Sequence, residues 1–155
     1  MNIDNMENEI EFLFVKREEV ISDMIGEGQI DEFTTFDFPQ IVNDEISVGS
    51  LDDYAMLNAV SLESNELLIT DMKIFDLQLK INQTQNILNL ASTRTKYPIS
   101  VWIDYFNIYR SMKLTKIKID ICEFLDICAD DYIYELNVLE NDFASFKDNM
   151  GEDNE

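Results

Sequence analysis

Carboxylates are the side chains of this sequence that are numerous enough, and spaced closely enough, to do chemistry together. Its 155 residues hold 32 Asp and Glu against 11 Lys and Arg, and the formal net charge is −21 at pH 7. Carboxylates three or four residues apart on a helix have Cβ atoms about 5–6 Å apart, and their side chains can spread further. Such rows approach the spacing of phosphates along a nucleic-acid strand. We therefore predict that they meet Lys and Arg side chains of a protein that binds DNA.

The predicted partner-binding carboxylates fall into two rows. The first row consists of Glu18, Glu19, Asp23, Asp31, Glu32, Asp37, Asp44, Glu45, Asp52 and Asp53. The second row consists of Glu123, Asp126, Asp130, Asp131 and Glu135. The alternative interpretation is an acidic surface that is only solvated, without a partner.

The absence of histidine narrows the chemistry that this chain can perform. It removes imidazole metal sites, Ser-His-Asp and Cys-His catalysis and the commonest general base. No glycine-rich phosphate loop is present either. We therefore expect no catalytic residues, no enzyme activity and no cofactor.

Metal binding is also not predicted. The pairs Asp52-Asp53 and Asp130-Asp131 could bind calcium or magnesium weakly, but no calcium-loop pattern surrounds them. The two cysteines, Cys122 and Cys128, are separated by five residues, which suits neither a shared metal nor a local disulfide. We interpret both as ordinary thiols.

The acidic residues are segregated along the chain. Residues 1–72 hold 18 acids and 2 bases, residues 73–118 hold 2 acids and 8 bases, and residues 119–155 hold 12 acids and 1 base. The central basic band is interleaved with aromatic residues, but the flanking acid opposes direct nucleic-acid binding. The band favours neutralisation within the chain or a self-association face. We predict that the aromatic face at residues 101–112 is core or the seam of a homodimer.

In the first half of the chain, local patterns predict two strands and two helices. The alternation EIEFLFV predicts a strand over residues 9–15, and a helix follows from Arg17 to Ile25, which Gly26 ends. A second strand or extended loop is predicted over residues 30–38, anchored by Phe33 and Phe36. Ser50 then predicts a capped helix over residues 51–63, with Asn65 as its terminator.

In the second half, three helices and one strand are predicted. A helix over residues 66–92 is favoured over a strand because its apolar residues recur at helical spacing. Pro98 begins the next helix. The alternation KLTKIKIDIC over residues 113–122 predicts a strand or the lead-in to a helix, and residues 120–138 predict the last helix.

These elements predict an α+β fold, a small mixed single domain with short antiparallel strands and about four to five helices. Its acidic body spans residues 9–147, with a flexible N-terminus at residues 1–8 and a disordered acidic tail at residues 148–155. No signal peptide or membrane-spanning segment is evident, so we expect a cytoplasmic protein of a bacterial host cell with no membrane contact.

Residues 9–60 contain a run that resembles the antirestriction proteins of the ArdA type. The segments REEVISDMIG and DEFTTFDFPQIVNDEISVGSLDDYAML carry the likeness, with a fainter echo in Ile103-Asp104-Tyr105. The matching positions are Glu18, Glu19, Val20, Ile25, Gly26, Asp37, Pro39, Val42, Glu45, Ser47, Gly49 and Leu51. The resemblance implies a dimeric α+β protein that mimics the shape and charge of duplex DNA and blocks type I restriction-modification enzymes.

The leading hypothesis is therefore an acidic DNA mimic that occupies the DNA-binding cleft of a host defence enzyme, either a restriction-modification enzyme or a CRISPR effector. One alternative is an immunity or antitoxin protein that neutralises a basic nuclease toxin. Another is a non-catalytic scaffold subunit that uses the aromatic face at residues 101–112.

Overall fold

Four long α-helices make up most of the computed structural model, which describes residues 2–32, 36–91 and 96–153. The helices are α1 (Ile3–Gly26), α2 (Glu66–Ala91), α3 (Ile99–Phe124) and α4 (Asp130–Asp153). The short elements between α1 and α2 are strands β1 (Ile41–Val42) and β2 (Glu45–Ile46) and two 3-10 helices, Val48–Met56 and Leu62–Ser64. The α+β prediction thus holds only in a helix-dominated form.

The helices pack in chain order. Each packs mainly on the next, so that α1 contacts α2, α2 contacts α3 and α3 contacts α4. Neighbours run antiparallel: Arg17 of α1 pairs with Asp71 of α2, whereas the earlier Met6 clusters with later residues of α2. We call α1 and α4 the outer helices, because each has one principal helix neighbour.

The main apolar core lies where α1 ends, α2 begins, α3 ends and α4 begins. Its largest fully buried side chains include Tyr54, Phe75, Leu67 and Ile117. A second cluster, built around Leu13 and Ile74, joins the first half of α1 to the middle of α2. The two clusters run along most of the α1–α2 pair.

The two strands form one hairpin over this core. Ile41 lies opposite Ile46 and Val42 opposite Glu45 in antiparallel register. Asn43 and Asp44 join them with φ values of 54° and 63°. Two successive left-handed residues match the twist of a two-residue hairpin, and Asn and Asp tolerate this conformation.

The strand predicted over residues 9–15 is wrong, because α1 passes through it without a break. The buried residues Met6, Leu13, Val20 and Met24 follow helical spacing over the whole of α1, and this longer pattern outweighs the local alternation. The Asn2 side chain caps the helix by accepting hydrogen bonds from the next turn. Helix α1 therefore begins inside the segment predicted to be a flexible N-terminus.

The strand predicted over residues 113–122 is also wrong: these residues are helical, but they form the last part of α3 and not the lead-in to the next helix. Helix α3 is packed between α2 and α4, so more than one of its faces is covered. Thr115, Ile117, Ile119 and Ile121 are all buried, which produces an alternating pattern in a helix. The helices predicted over residues 66–92 and from Pro98 are confirmed.

The helix predicted over residues 51–63 is replaced by the two 3-10 helices. Ser50 is not its cap: its hydroxyl donates to the Ser47 carbonyl at 2.6 Å and accepts the Gln40 N–H at 3.0 Å. Asn65 caps the start of α2 instead of ending the preceding helix, since its side chain accepts the N–H groups of Leu67 and Leu68.

Two further boundaries differ from prediction. The helix predicted over residues 120–138 is broken between α3 and α4, where Asp126 adopts φ of 59°. The Ile127 N–H then bonds the Cys122 carbonyl and the Asp126 N–H bonds the Glu123 carbonyl, the Schellman pattern that ends a helix. Gly28, with φ of 73°, takes the same place after α1, so the glycine that terminates the helix is Gly28, and the predicted Gly26 is the last helical residue.

The remaining predictions concern an extended segment and the C-terminal tail. Residues 36–40 form no strand, and Phe33 of the predicted strand lies outside the described residues. Helix α4 continues to Asp153, into the predicted disordered tail. The Tyr97 hydroxyl donates a hydrogen bond to the Met150 carbonyl and ties this part of α4 to the start of α3.

The aromatic face at residues 101–112 is packed within the chain. Tyr105 contacts Phe143 of α4 with ring centroids 5.0 Å apart, and Tyr109 contacts the same ring at 6.2 Å. Trp102 contacts Tyr105 at 5.5 Å. Helix α4 of the same chain thus covers part of this face. The homodimer through this face stays a prediction.

Candidate partner-binding surface

Carboxylates of both predicted rows are brought to one end of the molecule. Because neighbouring helices run antiparallel, the end of α1, the start of α2, the end of α3 and the start of α4 are adjacent, and their apolar residues share the main core. We call this region the acidic end. Its exposed members from the predicted rows are Glu18, Glu19, Asp23, Asp31, Glu32, Glu123, Asp126, Asp130, Asp131 and Glu135.

The start of α4 is held at this end by a hydrogen bond across the structure. The Tyr132 hydroxyl donates to the Glu63 carboxylate, and this bond lowers the pKa of Glu63. Lys118 of α3 lies over the Tyr132 ring, with its Nζ 5.5 Å from the centroid. These contacts position Asp130 and Asp131, which lie in the first turn of α4.

Three other predicted carboxylates surround a separate open cleft. Asp37, Asp52 and Asp53 line a space of about 500 Å³ together with Ser47 and Ser50. Nothing in the described part of the chain groups three or more acidic or sulfur ligands closely enough to hold a metal ion. The cleft therefore adds negative charge to the surface without forming a metal site.

Asp44 and Glu45 do not join either group. The hairpin places them against the middle of α3, where the Tyr109 hydroxyl donates to Asp44 at 3.1 Å and Lys116 pairs with Glu45 at 2.8 Å. The hydrogen bond from Lys116 lowers the pKa of Glu45. Glu45 is therefore partly neutralised by a lysine of the basic band, as predicted for that band, whereas Asp44 is bonded by a neutral hydroxyl.

Acid and base are separated by layer. Helix α1 holds seven acids and two bases, and α4 holds eight acids and one base. The inner helices are close to neutral, since α2 holds three acids and two bases and α3 three acids and four bases. The connection over residues 27–65 holds nine acids and no base. The charge excess therefore belongs to the two outer helices and to this connection.

Sequence reasoning missed a buried polar network that supports the cleft. The Arg17 guanidinium bonds the Asp71 carboxylate at 2.8 Å, the Phe36 carbonyl at 2.7 Å and the Tyr54 hydroxyl at 2.8 Å. The Tyr54 hydroxyl in turn donates to Asp71. The network fastens the segment carrying Asp52 and Asp53 to α1 and α2. The sequence indicates this network only through Arg17 and Asp71, which are charged residues on the apolar faces of α1 and α2.

Burial dominates the ionisation of this network. Desolvation raises the pKa of Asp71 to about 6, against the opposing effect of Arg17. Burial also raises the pKa of Tyr54, so its hydroxyl remains protonated and can donate. Desolvation would lower the pKa of Arg17, but the negative charge of Asp71 and the hydrogen bonds with Asp71 and Tyr54 outweigh it and raise that pKa.

We expect the free energy of unfolding to rise as the pH falls from about 7.5 to about 5. Folded Asp71 has a pKa of about 6, whereas an unfolded Asp titrates near 3.9, so between these values the folded chain binds more protons. Relief of repulsion among the surface carboxylates acts in the same direction. Urea unfolding at several pH values measures the effect.

Salt separates these two contributions. About 0.5 M NaCl screens surface repulsion but not the buried group, so the pH dependence that persists in salt belongs to Asp71. It should disappear in the Asp71→Asn variant. A free energy of unfolding that falls over the same pH interval would contradict the assignment.

The two cysteines do not form a disulfide bond. Both thiols are free, with Cys122 buried and Cys128 exposed, and burial raises the pKa of Cys122 to about 11.

Among the described residues, no helix combines the length and apolar character needed to cross a bilayer.

No family model, curated protein or solved structure matches this chain. The likeness to ArdA-type proteins therefore remains an expectation from the sequence.

Proposed function

We propose that this protein is a non-catalytic inhibitor that occupies the DNA-binding cleft of a host defence enzyme in the bacterial cytoplasm. The observation that carries the proposal is the layering of charge. The outer helices and the connection over residues 27–65 concentrate acid, while most bases lie on the inner helices. Carboxylates presented on the outside meet the Lys and Arg side chains of a DNA path without competition from neighbouring bases.

The scarcity of ion pairs at the predicted carboxylates supports the same proposal. Leaving Asp31 aside, Glu45 is the one predicted partner-binding residue that forms an ion pair within the described part of the chain. A net charge of −21 repels itself and costs stability. Binding to a basic cleft would relieve that repulsion. The resemblance noted above makes a type I restriction-modification enzyme the first target to test.

We expect the complex with such an enzyme to weaken steeply with salt. The purified protein should displace labelled duplex DNA from the enzyme at about 0.05 M NaCl, and its affinity should fall at least about 100-fold by 0.5 M because screening removes most of the exposed contacts. Fluorescence anisotropy measures the competition. An affinity that is undiminished at 0.5 M salt would contradict charge mimicry.

A panel of enzymes distinguishes the proposal from its alternatives. A DNA mimic should inhibit several related DNA-binding enzymes, including a CRISPR effector nuclease tested in parallel. An immunity protein would block one cognate nuclease. A scaffold subunit would inhibit none of them and would keep its binding after its carboxylates were changed to amides.

A further inference from the structure

We infer that the outer face of α1 is the surface that docks on the basic partner, with Phe12 and Val15 as an apolar anchor. This inference rests on the proposed function and adds a specific contact to it. Phe12 is 67% exposed and Val15 is 60% exposed. They are three residues apart on a helix, so their side chains are neighbours on one face.

Among the described residues, these two side chains take no part in the apolar core. The inward face of α1 is supplied by Met6, Leu13, Val20 and other buried residues. In the described residues, Phe12 makes no ring contact and neither Phe12 nor Val15 belongs to an apolar cluster. At 67% exposure, Phe12 removes only a minor part of its surface from water, so it contributes little hydrophobic free energy to folding.

The charges around the pair indicate what covers it. Glu11, Glu18 and Glu19 lie on the same exposed side within about one turn of the pair, together with one base, the half-buried Lys16 four residues from Phe12. The other base of α1, Arg17, is buried. A second copy docked by this face would bring carboxylates against carboxylates. A basic protein surface offers the complementary charge.

Binding hot spots are commonly aromatic residues that a polar rim surrounds. The central ring enters a pocket and loses water, while the charged rim orients the partner and speeds association. The partner should therefore have an apolar recess beside its basic cleft. A phosphate backbone has no equivalent group, so this contact would distinguish the partner from DNA-binding proteins in general.

Helix α4 provides a matched control. Tyr134 is 73% exposed and Val138 is 42% exposed, again beside carboxylates. The tyrosine hydroxyl hydrogen-bonds water, so its exposure needs no partner, whereas phenylalanine has no such group. This difference is why the anchor is assigned to α1.

The test compares Phe12→Ala with Tyr134→Ala in the competition against duplex DNA on a purified type I restriction-modification enzyme. Alanine is the strongest helix former and replaces an uncharged residue in both variants, so the helices and the net charge are unchanged. We expect Phe12→Ala to weaken binding about 30-fold, the loss typical of a hot-spot residue, and Tyr134→Ala to weaken it less than about threefold. Since no charge is removed, the salt dependence of Phe12→Ala should run parallel to that of the wild type.

Each outcome is decisive. If Phe12→Ala binds as the wild type does, or if Tyr134→Ala alone loses affinity, the anchor on α1 is wrong and the proposed function stands. If the wild type fails to displace DNA, the proposed function and the anchor both fail. If sedimentation shows a dimer of the wild type that Phe12→Ala dissociates, a second copy covers this face and the inference is overturned.

Discussion

Replacing Arg17 by methionine should lower the free energy of unfolding by about 3–5 kcal/mol, because it leaves the Asp71 carboxylate buried without its cation. Arg17 and Asp71 are both almost fully buried, and three hydrogen bonds from the guanidinium join α1, α2 and the connection between them. A loss of this size approaches the whole stability of a small domain. Urea unfolding followed by circular dichroism measures it.

Lys16→Met is the matched control for this change. Lys16 is the neighbouring residue and is half-buried, and no ion pair involves it in the described part of the chain. Its replacement should change stability by less than about 0.5 kcal/mol. A triple variant, Arg17→Met with Tyr54→Phe and Asp71→Leu, should recover most of the loss, since it removes every polar side chain of the network and leaves only the Phe36 carbonyl without its donor. A loss below about 1 kcal/mol for Arg17→Met alone would show that the network is not needed.

The second large effect concerns the carboxylates themselves. Changing the five second-row residues to amides should weaken binding to the restriction-modification enzyme about 50- to 100-fold, because five exposed contacts at roughly 0.5 kcal/mol each sum to about 2.5 kcal/mol. The set is Glu123, Asp126, Asp130, Asp131 and Glu135. Asparagine tolerates the positive φ of Asp126 as aspartate does, so the fold should persist.

A control with equal charge separates a local contact from the general field. Five carboxylates lie away from the acidic end, near the start of α1 and in the middle and second half of α4: Asp4, Glu7, Glu140, Asp142 and Asp148. Changing these to amides alters the net charge by the same amount. We expect a loss below about fivefold, since distant exposed charges are screened. Equal losses from both sets would show that total charge, and not its position at the acidic end, drives binding.

Several features could be predicted from the residues alone. The period of the apolar positions predicted α2 and the start of α3, and counting charges predicted that acid and base occupy different parts of the chain. Helical periodicity is visible in a sequence because one face of the helix is buried. Charge segregation is visible because the acidic and basic residues of each segment can be counted without knowing the fold.

Other features depended on which elements pack together. Ile117, Ile119 and Ile121 alternate like a strand only because α3 is covered on more than one side. Phe12, Phe14 and Ile10 look equivalent in EIEFLFV, yet α1 places Phe12 outward and the other two at the edge of the second apolar cluster. A short window cannot show how many faces an element buries.

The sequence by itself determined that this protein is acidic, that it lacks imidazole chemistry and that its second half begins with two helices. The tertiary structure alone decided that the ends of four antiparallel helices bring the second row and half of the first row of carboxylates to one end, and that Arg17, Tyr54 and Asp71 meet in the core. The physical reason is sequence separation: Arg17, Tyr54 and Asp71 alone lie up to 54 positions apart along the chain. Their contacts follow from the packing of whole helices, which no local pattern specifies.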